Sequence, residues 1–235
     1  GTGDFKTAEK IAKRYIRKNP KDLNGIVELG SLYQMQGDEK KASEIYYEAI
    51  ELADQNHSQL RQLSNVFISK RQFNWAEKVY TEARQKTNSG YKYNYELANI
   101  YYYQRNYPKM IDEYLNLLAV NDRYLNTVQS RLNSAVYTDT DDSMTDLLKQ
   151  RLIAASQKNK GKDVFNELLI WIYLKDREYD LALVQAKALD RRNLEDGARL
   201  IAIARQALKE TIYSVVSDAT MYVIQKESQS PYYFE

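Results

Sequence analysis

The chain has 235 residues, 43% of them hydrophobic and 28% charged, with 34 basic and 32 acidic side chains in near balance. That balance argues against a nucleic-acid or membrane surface as the main partner, and no apolar run of about 18 residues is present to span a bilayer. The lack of cysteine removes disulfides, thiolate chemistry and cysteine metal sites together, and leaves the compartment open.

From the N-terminus, residues 4 to about 18 predict one basic helix carrying Lys6, Lys10, Lys13, Arg14, Arg17 and Lys18, with Pro20 behind it. A repeat then governs the pattern. Ala8, Ala42 and Ala76 stand 34 residues apart, and Met110 takes the next step. Other columns keep the same period: Leu29, Leu63 and Leu97; Tyr33, Phe67 and Tyr101; Tyr46, Tyr80 and Tyr114; then Ala49, Ala83 and Leu117. Gly30, Ser64 and Ala98 follow the leucines as small residues where two helices approach closely. Gly37-Asp38, Arg71-Gln72-Phe73 and Arg105-Asn106-Tyr107 read as the short turns that join antiparallel helices. Such units cannot bury their apolar stripes alone, so neighbours cover one another, and enlarging Ala42 or Ala76 should cost roughly 1–3 kcal/mol by overpacking. Most of the 21 tyrosines are accounted for as packing residues with the hydroxyl at the rim.

Past Asp122 the register slips, because continuing it would place Arg131 in the leucine column. Leu125, Val128, Leu132, Ala135 and Val136 still follow a helical period, as do Leu147, Leu148, Leu152 and Ala155. Thr138 to Ser143 forms the break, with Asp141, Asp142 or Ser143 as N-cap of the second helix. Leu169, Tyr173, Tyr179, Ala182 and Leu189 restart the pattern 38 residues after the expected origin instead of 34. Ile203, Ala204, Ala207 and Tyr213 follow in register, with Val216, Thr220 and Val223 in place of the usual small and aromatic residues. The slip predicts a bend or a change of twist.

A 34-residue period with these columns resembles the tetratricopeptide repeat, over residues 1 to about 122 most clearly. The resemblance implies an all-α fold, a right-handed α-solenoid of antiparallel helix pairs with one irregular repeat in the middle. It divides the chain into 1–122, a half repeat plus three full repeats; 123–162, the irregular pair; and 163–235, two further repeats truncated at the start of another. The segment from Tyr173 to Asp190 is similar to large multi-repeat proteins of the Bacteroidetes, many of them exported, which inclines the reading toward a bacterial periplasm or cell envelope without excluding the cytoplasm. The half repeat at one end and Ser230-Pro231-Tyr232-Tyr233 at the other read as a piece of a longer array, whose exposed repeat ends could dimerise.

Catalytic and cofactor chemistry finds little support. The single histidine, His57, has no second histidine or cysteine to complete a transition-metal site and reads as an exposed turn residue. Nucleophile–histidine–acid catalysis would need that same residue. Asp139, Asp141 and Asp142 lack the glycine and glutamate of a calcium loop, since Met144 and Gln150 stand in those places. Asn56-His57-Ser58 matches a glycosylation acceptor by its short pattern alone. No enzyme, metal or cofactor is therefore expected.

The resemblance implies a scaffold that binds a peptide or protein segment on a concave face lined by the first helix of each pair. That face would carry Asn24, Val27, Ser31 and Gln34, then Arg61, Asn65 and Ile68, then Tyr95, Asn99 and Tyr102. Asn65 and Asn99 hold equivalent places and each offers a donor and an acceptor to a peptide backbone; Arg61 suits a carboxylate. Val27 and Ser31 stand where the carboxylate clamp of chaperone-binding relatives has a lysine and an asparagine. The alternative is a spacer that sets length and curvature while the partner site lies elsewhere.

Overall fold

A computed structural model describes residues 2–53, 56–87, 90–138 and 143–227. Among them run thirteen α-helices: α1 (Thr2–Lys18), α2 (Leu23–Met35), α3 (Glu39–Ala53), α4 (His57–Ser69), α5 (Phe73–Lys86), α6 (Asn94–Tyr103), α7 (Tyr107–Val120), α8 (Leu125–Tyr137), α9 (Ser143–Lys158), α10 (Asp163–Lys175), α11 (Tyr179–Asn193), α12 (Ala198–Lys209) and α13 (Tyr213–Glu227). A 3₁₀ turn, Asp122–Tyr124, leads into α8, and no strand occurs among the described residues. Among the described residues the fold is all-α, built from helix pairs joined by tight turns that recur with a 34-residue period. Asp139, Asp141, Asp142 and Ser230 to Tyr233 lie outside the described residues.

Two compact units divide the chain, Gly1–Glu113 and Tyr114–Glu235. In the first, α2 packs along α3 and also meets α1 and α4, while α5 packs on α4 and α6. The columns read from the sequence form its interior: Leu29, Leu63 and Leu97, Tyr33, Phe67 and Tyr101, Ala42 and Ala76, and Tyr46 and Tyr80 are all buried. Ala8 is half-buried on α1. Gly30 shows why one column must be small. A Cβ built there would lie 2.3 Å from Tyr46 Cε1, so the ring of α3 sits directly on the backbone of α2. Around that ring, Phe67 and Trp75 pack edge-on with centroids 5.1 and 4.9 Å away.

The turns repeat as closely as the helices. Gly37, Arg71 and Arg105 occupy the same place in successive units, and all three have left-handed backbones, with φ of 80°, 58° and 56°. Each donates its N–H to the carbonyl three residues back, closing the end of a first helix. Arg177 and Thr211 do the same in the second unit, with φ of 58° and 61°.

In the second unit α10 packs on α9 and α11, and α12 on α11 and α13. Leu169, Tyr173, Tyr179, Ala182 and Leu189 are buried, as are Ile203, Ala204 and Ala207. Tyr213 differs from its counterpart Tyr179: it is 66% exposed on the first turn of α13. Lys149 of α9 reaches Asp176 and Glu178 in the α10–α11 turn. A second anchor is Asp190, fully buried at the end of α11. It accepts from Tyr222 Oη at 2.9 Å, Lys226 Nζ at 2.6 Å and the Gly197 N–H at 3.0 Å.

Candidate functional site

The residues expected on one face separate into three groups. Arg61 and Asn65 are exposed on α4 and, with Ser58, Gln62, Val66 and Ser69, line a shallow concavity of ≈ 420 Å³. Both point their polar ends away from the core because Leu60, Leu63, Ser64 and Phe67 take the buried side of the same helix. Asn24 is exposed at the start of α2, and Ile68 is half-buried at the end of α4.

A second group faces a different surface or neighbouring helix atoms. Ser31 donates to the Val27 carbonyl at 3.0 Å and shares a hydrogen bond with Tyr46 Oη at 3.2 Å. Gln34 accepts from Gln72 Nε2 at 2.6 Å and from Tyr46 Oη at 3.3 Å. Asn99 donates to the Tyr95 carbonyl at 2.8 Å, so part of its amide is turned back on its own helix. Tyr95 and Tyr102 are half-buried.

Val27 stands alone and corrects the expectation, since it is fully buried and offers no surface to a ligand. A short apolar side chain on a helix packed by α1, α3 and α4 is covered from several sides. The long polar Arg61 at the same repeat position reaches solvent instead. His57 is also placed differently from the turn residue expected. It is the first residue of α4, capped by Asn56, whose side chain accepts from the Ser58 and Gln59 N–H groups. Its exposed ring lies 5.4 and 5.2 Å from the rings of Tyr91 and Tyr93.

A larger concavity of ≈ 750 Å³ lies at the turn edge of the first unit, lined by Gln34, Glu39, Arg71, Gln72, Phe73, Asn74, Trp75, Gln104 and Asn106. Only Gln34 among these was expected to bind anything. The signal was nonetheless present in one column: Asp38, Gln72 and Asn106 hold the place just before each second helix. Asp38 and Asn106 use it to cap, accepting from the N–H three residues on. Gln72 makes no cap bond; its amide crosses to Gln34 and to Tyr46 Oη at 3.0 Å.

Buried charge elsewhere in the unit is structural. Arg84 on α5 grips Glu113 on α7 with two hydrogen bonds of 2.8 and 2.7 Å, and Asn94 adds a third at 2.7 Å. Burial pushes the Tyr80 hydroxyl up to about 12, with the Glu96 carboxylate adding to it. A phenol held protonated in this way packs rather than reacts. Among the described residues no group of three or more histidine, cysteine or acidic side chains is arranged to hold a metal ion. No helix among them is long and apolar enough to cross a membrane.

No protein-family model and no curated protein matches the chain. Solved structures do. A tetratricopeptide repeat protein from Parabacteroides merdae is 14% identical, over 95% of this chain and 87% of that one, with a TM-score of 0.33. PilF of Pseudomonas aeruginosa is 16% identical over 92% and 96%, also at 0.33. Naa15/Naa10 bound to HypK-THB is 18% identical over 86% of this chain at 0.29, and the chain spans only 36% of its length.

Proposed function

We propose that this protein is a non-catalytic scaffold that holds a peptide or protein segment on the face presented by the first helices of its repeats. The observation that carries this reading is the row of Arg61, Gln62 and Asn65 on α4. Their polar ends are exposed beside a concavity; among the described residues none of the three holds a side-chain hydrogen bond or ion pair, and the Arg61 guanidinium acts only at longer range on the Tyr80 hydroxyl. Polar groups left unpaired on a helix that is otherwise tightly packed are available to a partner's backbone and carboxylates. Ser31, Gln34 and Asn99 contribute less, because their hydrogen-bonding capacity is already partly used within the fold.

The test is binding of the chain to a peptide array, followed by titration of the strongest binders against the double variant Arg61→Ala with Asn65→Ala. Affinity should fall by about tenfold or more, as two hydrogen bonds with one charged group are removed. Unchanged affinity would sink the α4 face as the binding surface, and an absence of binders on the array would leave this stretch as a spacer. Circular dichroism should show both side chains to be dispensable for folding, since each is exposed.

A further inference from the structure

On α1, Lys10, Arg14 and Arg17 stand on one exposed ridge at i, i+4 and i+7, a spacing at which like charges repel within a helix. Thirty-four residues on, the same three places of α3 hold Glu44, Glu48 and Glu51, likewise exposed. Among the described residues none of the six side chains holds a hydrogen bond or an ion pair. The other cations of α1 differ in this respect at one place, where Lys13 pairs with Glu9 at 2.6 Å. The inward sides of the helices explain the exposure. Ala42, Tyr46, Ala49, Ile50 and Ala53 take the buried side of α3, and Phe5, Ala8, Ala12 and Ile16 are the half-buried apolar residues of α1.

The two helices lie side by side. Each is joined to α2 by a short turn and packs on it, so both run against α2 and in the same direction as each other. Tyr33 of α2 sits between them, with Lys13 Nζ 5.7 Å and Lys41 Nζ 5.3 Å from its ring centroid and its hydroxyl donating to Glu9 at 2.7 Å. Packed helix axes are about 8–10 Å apart, and at about 1.5 Å per residue each ridge is about 10 Å long. A positive and a negative ridge of equal length therefore run at one level on adjoining helices. Lys6 and Lys40 hold the next equivalent place with the same sign, so the matched stretch stops at Lys10 and Glu44.

We propose that two copies of the chain pair face to face through these ridges, α1 of each lying on α3 of the other about a two-fold axis that runs between the two helices and along them. The charge pattern selects this occupant. An anionic membrane, a nucleic acid or an acidic peptide drawn to α1 meets the carboxylates of α3 one helix away, within a screening length of about 10 Å at 0.1 M salt. A surface carrying both signs at the same spacing avoids that repulsion, and the chain itself carries one. The two-fold sets Lys10 against Glu44, Arg14 against Glu48 and Arg17 against Glu51, once in each direction, as a self-complementary contact requires. Ile11, Tyr15 and Tyr47, all exposed, supply apolar surface beside the charges. None of these residues belongs to the α4 face, so the pairing and the binding of a segment there stand or fall separately.

Exposed ion pairs contribute little each, so the association is weak and sensitive to salt. Sedimentation equilibrium at about 100 μM should give twice the mass of one chain at about 20 mM salt, and the mass of one chain at about 1 M, where the screening length is about 3 Å. Lys10→Glu with Arg14→Glu and Arg17→Glu should leave a monomer at low salt, and so should Glu44→Lys with Glu48→Lys and Glu51→Lys. An equimolar mixture of the two triple variants should return the doubled mass, because both contacts are then complementary again. The chain carrying all six exchanges should dimerise as the wild type does, and circular dichroism should show every variant folded, since each position is exposed. A wild-type chain that is monomeric at low salt overturns the pairing, as does a dimer indifferent to both triple variants or a mixture that stays monomeric. A mass that grows past two chains overturns the two-fold arrangement. Retention of the wild-type monomer by phosphatidylserine vesicles or by polyglutamate, in place of self-association, assigns the α1 ridge to another partner and overturns it as well.

Discussion

Replacing Gly30 by alanine would set a methyl group 2.3 Å from Tyr46 Cε1, a distance that no side-chain contact tolerates. The ring cannot swing aside, since it is fully buried, packed edge-on by Phe67 and Trp75, and tied through its hydroxyl to Ser31, Gln34 and Gln72. Gly30→Ala should therefore lower stability by about 1–3 kcal/mol in urea unfolding, although alanine is the better helix former. Arg105 poses the opposite case. Its φ of 56° is costly for any residue with a Cβ, and its exposed side chain has no partner among the described residues. Arg105→Gly should raise stability by up to about 1 kcal/mol, less what glycine gains in unfolded freedom, and thermal denaturation would reveal it. The sequence exposes the first effect and conceals the second. A small residue recurring in a leucine-flanked column announces a close approach, whereas an arginine in a turn gives no sign of the backbone it must adopt.

Between elements, the closest-fitting contacts are long-range in sequence and carry no periodic signal. The Arg84–Glu113 pair spans α5 and α7, and Asp190 meets Tyr222 and Lys226 across α11 and α13. Burial by itself would raise the Asp190 pKa, but the bonds from Lys226, Tyr222 and the Gly197 N–H outweigh it and hold the carboxyl below its ordinary 3.8. In the interval between the folded and unfolded values, the unfolded chain binds a proton that the folded chain does not. The stabilisation is thus complete above the ordinary value and is lost as pH falls through the folded one. Urea midpoints measured from about pH 6 down to about pH 3 should decline, and Asp190→Asn should flatten part of that decline. Lys226→Met is the sharper variant. It removes the main partner of a buried carboxylate, should cost about 3 kcal/mol at neutral pH, and should shrink or abolish the acid loss that Asp190 contributes, because the folded value then rises toward or above the unfolded one. The site shows the same division between legible and hidden. The exposure of Arg61 and Asn65 is readable because a packed helix leaves only one face for polar residues. The bonds of Gln72 to Gln34 and Tyr46 give no such signal, since they cross between helices far apart in sequence.

At the scale of the whole chain the repeat is recorded twice, once in side chains and once in the backbone. Left-handed residues at Gly37, Arg71 and Arg105 are spaced by 34, as are Arg177 and Thr211, and the interval from Arg105 to Arg177 is 72. That interval is one regular repeat and one of 38, so the slip inferred from leucines and tyrosines is also a slip in turn geometry. The helices α8 and α9 fill it, and α9 is fixed to the next pair by the contacts of Lys149 with Asp176 and Glu178. Contacts in both units run chiefly between neighbouring helices, as expected where each repeat is covered by the next. Stability in such an array is a sum of local and nearest-neighbour terms, so damage to one repeat spreads outward with loss at each interface. Native-state hydrogen exchange on Gly30→Ala tests this directly. Protection should drop most in α2 and α3, less in α4 and α5, and least in α11 to α13, whose amides should keep their wild-type rates. A uniform loss of protection from α1 through α13 would instead mean that the chain unfolds as one cooperative body, and the repeat would then describe its geometry but not its energetics.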